Sequence, residues 1–307
     1  MKFKLYESKS FRKILIEVYR LKEVNLKVDD NLFVNFLKSS VFFKKRDLMY
    51  LPFGFFQLSD RFNHEKKLFD KIPNNASICT IGKIKFFVNE KIGINPILNL
   101  ENINPNTHNN YSKNHNQNIR KEMNKVRKEN IQFEVSKNDK WLDEFYKLMS
   151  EQYTRDHKMV FQPKELFEKF IKNEMSVIFT ASVGNKLYAA IFCLIDGETI
   201  HYNWGVRRKY YNLNLSTFLI AKAINFSAEN NFKYFDFGAT PISDLDLLKF
   251  KKKWNPEIFY LYRNSKITQK KSIDLNTSYR FSRIFFSMIP PFINRKLMKY
   301  IVPLIIR

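Results

Sequence analysis

Between Ser176 and Gly205 the chain passes three times through apolar, β-branched and aromatic residues, as SVIFTASV, KLYAAIFCLI and ETIHYNWG, broken only at Gly184-Asn185 and Asp196-Gly197. Runs of this length separated by two-residue turn signals predict a three-stranded antiparallel meander. Such a sheet needs cover, and the covering pieces flank it. Upstream, Leu142, Phe145, Tyr146, Met149 and Tyr153 recur at helical spacing, and Pro163 opens a second helical pattern through Leu166, Phe167, Phe170 and Ile171. Downstream, Leu215, Phe218, Leu219, Ala223 and Phe226 share one helical face before Asn230-Asn231, and Tyr234 to Phe237 reads as a short strand. The expected order is helix, helix, three strands, helix, strand.

The stretch Leu100 to Gln117 is rich in Asn and poor in apolar residues and reads as a boundary or long loop. After it, Asn118 to Asn130 places Ile119, Met123 and Val126 on one face of a basic amphipathic helix. Before it, helices are expected near Arg12 to Leu21 and Arg61 to Lys71, with strands near Leu48 to Leu51, Ala76 to Ile81 and Ile84 to Val88. This divides the chain into 1–110, 111–275 and a basic amphipathic C-terminal segment, 276–307. A length of 307 residues with 44% hydrophobic content is enough for two cores.

Lys and Arg number 53 against 30 Asp and Glu, a net charge of +23 that would draw phosphate-bearing substrates, RNA or anionic lipid alike. The amino terminus, MKFKLYESKSFRK, has no apolar stretch behind its charges and does not read as a secretory signal, so a cytoplasmic location is expected. Cys79 and Cys193 lie far apart in apolar sequence and read as small buried hydrophobes. No run approaches the roughly 18 apolar residues of a spanning helix. Ser287 to Arg307 mixes apolar and basic residues and reads either as a terminal helix docked on the body or as a peripheral contact with the anionic inner membrane face. No His, Cys and carboxylate cluster has metal spacing, so no metal is expected.

The element order resembles the GNAT acyltransferase fold, and four motifs sharpen the resemblance. NIRKEMNKVRKENIQFEV is similar to the helix that opens the second domain in Fem-type peptidoglycan aminoacyltransferases and their FemAB-like relatives, and FYKLMSEQYTRDHK to their Tyr-containing helix leading into a basic turn, here Thr154-Arg155-Asp156. YFDFGATPISDLDLLKFKKKWNPE resembles the family's strand ending in Asp-Phe-Gly, then its loop, then its Phe-Lys-x-x-Trp. LPFG, Leu51 to Gly54, resembles a first-domain element. The resemblance implies an α/β (α+β) fold of tandem GNAT-like domains, with mixed, mostly antiparallel central sheets flanked by helices.

It also implies an acyl- or aminoacyltransferase acting on an amine or hydroxyl of a cell-envelope precursor or glycan. By the resemblance Lys251 is the catalytic cation beside the tetrahedral oxyanion, flanked by Phe250 and Trp254. Arg155 would hold an anionic part of the acceptor through its forked donors. Tyr202 and Trp204, two apart on the third strand, are expected to share a face and line the acceptor groove, or to serve the core. Asp236 would order the turn after its strand or accept a proton from the attacking amine. His157 and His201 are bases of suitable pKa outside the matched motifs. The acyl donor stays open between aminoacyl-tRNA and acyl-CoA. The family's long helical arm has no room after Trp254, and Val206 to Asn214 lacks the glycines that present backbone N–H groups to a coenzyme A pyrophosphate. The competing readings are a coenzyme A-dependent N-acetyltransferase on a small molecule or nucleotide sugar, and a non-catalytic nucleic-acid-binding protein.

Overall fold

Gly184 and Gly197 both take a φ of +55°, the left-handed conformation that a tight hairpin turn demands, and the three apolar runs close into hairpins at these two points. The computed structural model describes residues 5, 8–27, 33–39, 56–57, 65–72, 77–101, 103–105, 110–157 and 162–266. In chain order its elements are α1 (Lys9–Tyr19), β1 (Leu21–Lys27), β2 (Phe33–Ser39), β3 (Phe56–Gln57), α2 (Glu65–Lys71), β4 (Ser77–Ile81), β5 (Val88–Asn99), α3 (Lys113–Lys128), β6 (Gln132–Ser136) and α4 (Leu142–His157). There follow α5 (Lys164–Lys172), β7 (Ser176–Val183), β8 (Lys186–Asp196), β9 (Thr199–Arg207), α6 (Leu215–Glu229), β10 (Tyr234–Asp236), β11 (Thr240–Pro241), α7 (Leu245–Lys252) and β12 (Glu257–Ser265). This is a mixed α/β fold with mostly antiparallel strands. The chain forms two compact units, one of Met1–Gly93, His157–Leu166 and Tyr260–Arg307, the other of Ile94–Asp156 and Phe167–Phe259. The motif at Leu51 to Gly54, the strand expected at Leu48 to Leu51 and the segment 276–307 lie outside the described residues.

In the first unit α1 starts at the Ser8 cap and buries Phe11, Ile14, Leu15, Val18 and Tyr19, the i, i+3, i+4, i+7 stripe of a core-facing helix. β1 and β2 pair antiparallel from Leu21↔Ser39 to Lys27↔Phe33. β4 pairs parallel with β3 and antiparallel with Leu261–Ser265 of β12. The strand expected at Ile84 to Val88 is instead a turn up to Phe87, with Val88 opening β5, because the Asn89 amide takes the backbone groups a ladder would use. Its Oδ1 accepts from Ile84 N at 2.8 Å, and its Nδ2 donates to Ile84 O at 3.0 Å and Phe87 O at 2.6 Å.

The second unit is built on the strand order β5-β10-β9-β8-β7-β6, antiparallel throughout except for β9 beside β10. The meander is as expected. On one face α6 packs Phe218, Leu219, Ala223 and Ile224 against Val177, Phe179, Ile191 and Cys193. On the other, Phe145, Phe167 and Phe170 meet Phe192 and Trp204 in edge and tilted contacts. Each such fully buried side chain contributes about 1.5–3 kcal/mol. Leu100 to Gln117 is shorter as a loop than its composition suggests: α3 begins at Lys113, with the Ser112 hydroxyl accepting from His115 N at 3.4 Å. Its Asn residues act as braces, Asn116 bonding both Tyr111 N and Tyr111 O.

Cys79 and Cys193 are free thiols, both raised in pKa by burial, Cys79 to about 11. Among the described residues no helix is long and apolar enough to cross a membrane, and no three His, Cys, Asp or Glu side chains group to hold a metal ion.

Candidate active site

β10 is only three residues long and lies between two longer strands, parallel to β9 and antiparallel to β5. The registers Asp236↔His201 and Asp236↔Ile97 put His201, Asp236 and Asn95 in one row across three strands, since Asn95 stands two residues from Ile97. Asp236 is 0% exposed, and a carboxylate so placed must be bonded on both oxygens. Its Oδ1 accepts from Asn95 Nδ2 at 3.0 Å and from Gly238 N at 2.8 Å, while Oδ2 meets His201 Nδ1 at 2.9 Å. The bond to Gly238 N folds the chain back just after the strand. Gly238 sits at a φ of +75°, and a Cβ there would stand 3.0 Å from the Tyr202 carbonyl oxygen, so the turn requires glycine twice over.

The folded-back turn presents two carbonyls, and Lys251 binds both. Its ammonium donates to Phe237 O at 2.5 Å and Gly238 O at 2.9 Å. Lys251 reaches them from the last turn of α7, which is capped by the Asp244 side chain on Leu247 N. It is 3% exposed, and burial lowers its pKa to about 8, against the pull of Asp236 and Asp244. An ammonium has three donors. Among the described residues the third N–H of Lys251 has no acceptor. Asn95 Oδ1, Asn203 Oδ1 and Thr240 Oγ1 are also buried without a partner among the described residues. The β9–β10 ladder ends at Asp236↔His201, whereas Phe237 N bonds Pro96 O at 3.0 Å and β9 runs on to Arg207.

The structure thus joins Lys251 and Asp236 through the Phe237-Gly238 turn and adds His201 and Asn95 to them. Phe250 is half-buried against the α6-side core, together with the fully buried Trp254. The expectation that Tyr202 and Trp204 share a face is corrected. A register shift sets Cys193 opposite Tyr202 and Phe192 opposite Trp204, so Asn203 is an extra residue and the alternation reverses. Tyr202 packs on the α6 side, its hydroxyl folded over Gly205 where any Cβ would collide, and burial raises its pKa. Trp204 packs on the opposite face, 4.9 Å from the Phe167 ring, as a core residue. Arg155 lies exposed in the last turns of α4.

A second group was not legible in the sequence. The Trp254 indole meets the rings of His115 at 4.5 Å and Tyr111 at 5.1 Å, both edge-on, and tilts against Phe237 at 6.4 Å. Trp254 Nε1, His115 Nε2 and the Tyr111 hydroxyl are all buried without a hydrogen-bond partner among the described residues. Burial, aided by the charge of Lys253, lowers the His115 pKa to about 4 and keeps the ring neutral at neutral pH. Tyr111 and His115 sit in the Asn-rich stretch read as loop; the Ser112 cap was the available signal for a helix.

Residues 113–251 match the family model described as an acetyltransferase (GNAT) domain. In fold the whole chain is similar to Fem-like proteins. FemX superposes with a TM-score of 0.57 at 12% identity, over 88% of this chain and 92% of FemX. The C-terminal domain of a protein assigned as a lysylphosphatidylglycerol synthetase from Agrobacterium fabrum gives 0.57 at 11% identity, over 89% and 93%. A conserved protein of unknown function from Bacteroides thetaiotaomicron gives 0.52 at 14%, over 83% and 88%. No curated protein matches the chain in sequence. The matched region ends at Lys251, the residue that carries the buried ammonium.

Proposed function

We propose that the protein transfers an acyl group, in the aminoacyl form, to an amine or hydroxyl of an anionic cell-envelope precursor or glycan. Lys251 stabilises the tetrahedral oxyanion. One observation carries this reading: two of the three ammonium donors are committed to fixed carbonyls, and the third is buried with no acceptor among the described residues. A cation held this way needs no reorganisation when negative charge develops on the attacked carbonyl oxygen, which makes such donors effective in acyl transfer. Asp236 positions it by fixing the turn that supplies those carbonyls. Arg155 is assigned to the anionic part of the acceptor.

The choice of donor rests on the start of α6. A coenzyme A pyrophosphate would seek the free N–H groups there. The Glu122 carboxylate already accepts from Asn214 N at 2.8 Å, and the Asn214 side chain accepts from Thr217 N at 3.2 Å. An incoming diphosphate would meet a carboxylate at the position where it needs donors. This favours aminoacyl-tRNA over acyl-CoA, and the synthetase neighbour, named for an aminoacylated lipid, is consistent with it.

Mass spectrometry of envelope precursors from cells with the wild-type protein, without it and with Lys251→Met tests the reading. An added aminoacyl mass should appear only with the wild type. Full modification by Lys251→Met would sink the assignment. Purified protein should show no thermal stabilisation by coenzyme A.

A further inference from the structure

We propose that the turn from Lys83 to Val88, in the first unit, is a membrane-insertion element that seats the protein on an anionic phospholipid surface. Phe86 is 60% exposed and has a φ of +67°, a conformation that a bulky side chain adopts only when its surroundings enforce it. The enforcement is visible. The Asn89 amide holds Ile84 and Phe87 by their backbone groups, and the buried Ile84 and Phe87 side chains anchor the turn from below. Phe69 of α2 supports it, edge-on to Phe87 at 5.0 Å and tilted to Phe86 at 6.4 Å. The turn therefore spends backbone strain to hold a phenyl ring in water, an arrangement that is favourable only where the ring finds an apolar medium.

Val88, 40% exposed, and Tyr260, 47% exposed, extend the apolar surface. Its border is basic. Lys83, Lys85 and Lys91 are exposed; the Lys91 ammonium lies 3.5 Å from the Tyr260 ring centre and that of Lys83 5.7 Å from the ring of Tyr262. The nearby carboxylate of Glu90 is paired with Arg263 at 3.4 Å. A rigid apolar tip ringed by lysines matches a bilayer interface, where the ring enters the acyl boundary and each ammonium meets a phosphate. Val88 has no flat face for a base to stack on, which sets lipid above single-stranded nucleic acid as the partner. The proposal concerns the first unit alone and does not depend on the transferase reading.

The full chain should co-sediment with vesicles of phosphatidylcholine containing one third phosphatidylglycerol and not with phosphatidylcholine alone, and high salt should release it. Phe86→Ser with Val88→Ser should weaken this binding at least about tenfold, with an unchanged circular dichroism spectrum. Removing Lys83 or Lys85 should weaken it about fivefold each. Phe86→Trp reports depth directly: its emission should shift to the blue on anionic vesicles and be quenched by brominated acyl chains. Equal binding by the double serine variant, equal binding to neutral vesicles, or an indole that stays in water overturns the proposal. So does a Phe86→Trp emission that responds to single-stranded RNA and not to vesicles. Lys251→Met should bind vesicles as the wild type does, so failure of either reading can be told from failure of the other.

Discussion

Around Asp236 and around Trp254 the second unit buries polar atoms to the same depth, and it treats them in opposite ways. Asp236 has three donors at 2.8 to 3.0 Å drawn from β5, β9 and its own turn. Trp254, His115 and Tyr111 pack their rings edge-on and leave three polar atoms unbonded among the described residues. The difference follows from charge. A buried carboxylate without partners would be several kcal/mol too costly, whereas a neutral imidazole, phenol or indole can forgo its bond and recover part of the cost in edge-on ring packing. Phe237 touches both groups, its carbonyl on Lys251 and its ring on Trp254. The bonded network fixes where the turn is; the aromatic group fills the space behind it.

The contrast can be broken most directly at Asp236. Asp236→Ala leaves Asn95, His201 and Gly238 N without their acceptor and should cost about 3–5 kcal/mol in urea unfolding. A loss under about 1 kcal/mol would mean that the two groups do not differ. Lys251→Met should lower the rate of transfer about 10²- to 10³-fold while the fold persists, as loss of an oxyanion donor does. The pH dependence sharpens this. In the folded chain Lys251 titrates at about 8 and in the unfolded chain at the ordinary 10.5, so the unfolded state binds more protons between these values. Wild-type stability should therefore rise by up to about 3 kcal/mol as pH climbs through that window, while activity falls with loss of the cation. Lys251→Met should lose both trends.

Gly238→Ala should cost about 1–3 kcal/mol, because the left-handed backbone and the Tyr202 carbonyl both oppose a Cβ. The smallest effect is expected at His115. His115→Phe removes an unbonded polar atom and should change stability at pH 7 by no more than about 1 kcal/mol, in either direction. It should also remove a pH slope. Folded His115 titrates at about 4 and the unfolded residue at 6.5, so wild-type stability is full above that range and declines as pH falls through it. Unfolding midpoints at the two ends of the window check this, and a large loss for His115→Phe at neutral pH would reveal a partner that the imidazole does bind.

The meander, α4, α5 and α6 were readable because each buries a face whose period is written in the chain, two for the strands and three to four for the helices. Asp236, Gly238 and Lys251 were readable as a motif, and their local connection, a carboxylate on the amide two residues on, is a short-range feature. Asn95 was not. It lies 141 residues from Asp236 and gives no local sign that it will face a carboxylate. Tyr202 and Trp204 were assigned to one face by strict alternation, and one inserted residue at Asn203 defeats that inference. The Asn-rich stretch misled for a related reason: composition marks it as loop, yet its Ser and Asn side chains cap and brace the start of α3.

The sequence alone determined what local geometry and periodic burial can dictate: an antiparallel meander between helices and a turn after the Asp-Phe-Gly strand. The tertiary structure decided which distant residues meet there, since β10 pairs with strands far from it in the chain. Only that pairing buries Lys251, lowers its pKa and leaves one of its protons without an acceptor among the described residues, because desolvation depends on everything packed around a charge and not on the neighbours it has along the chain.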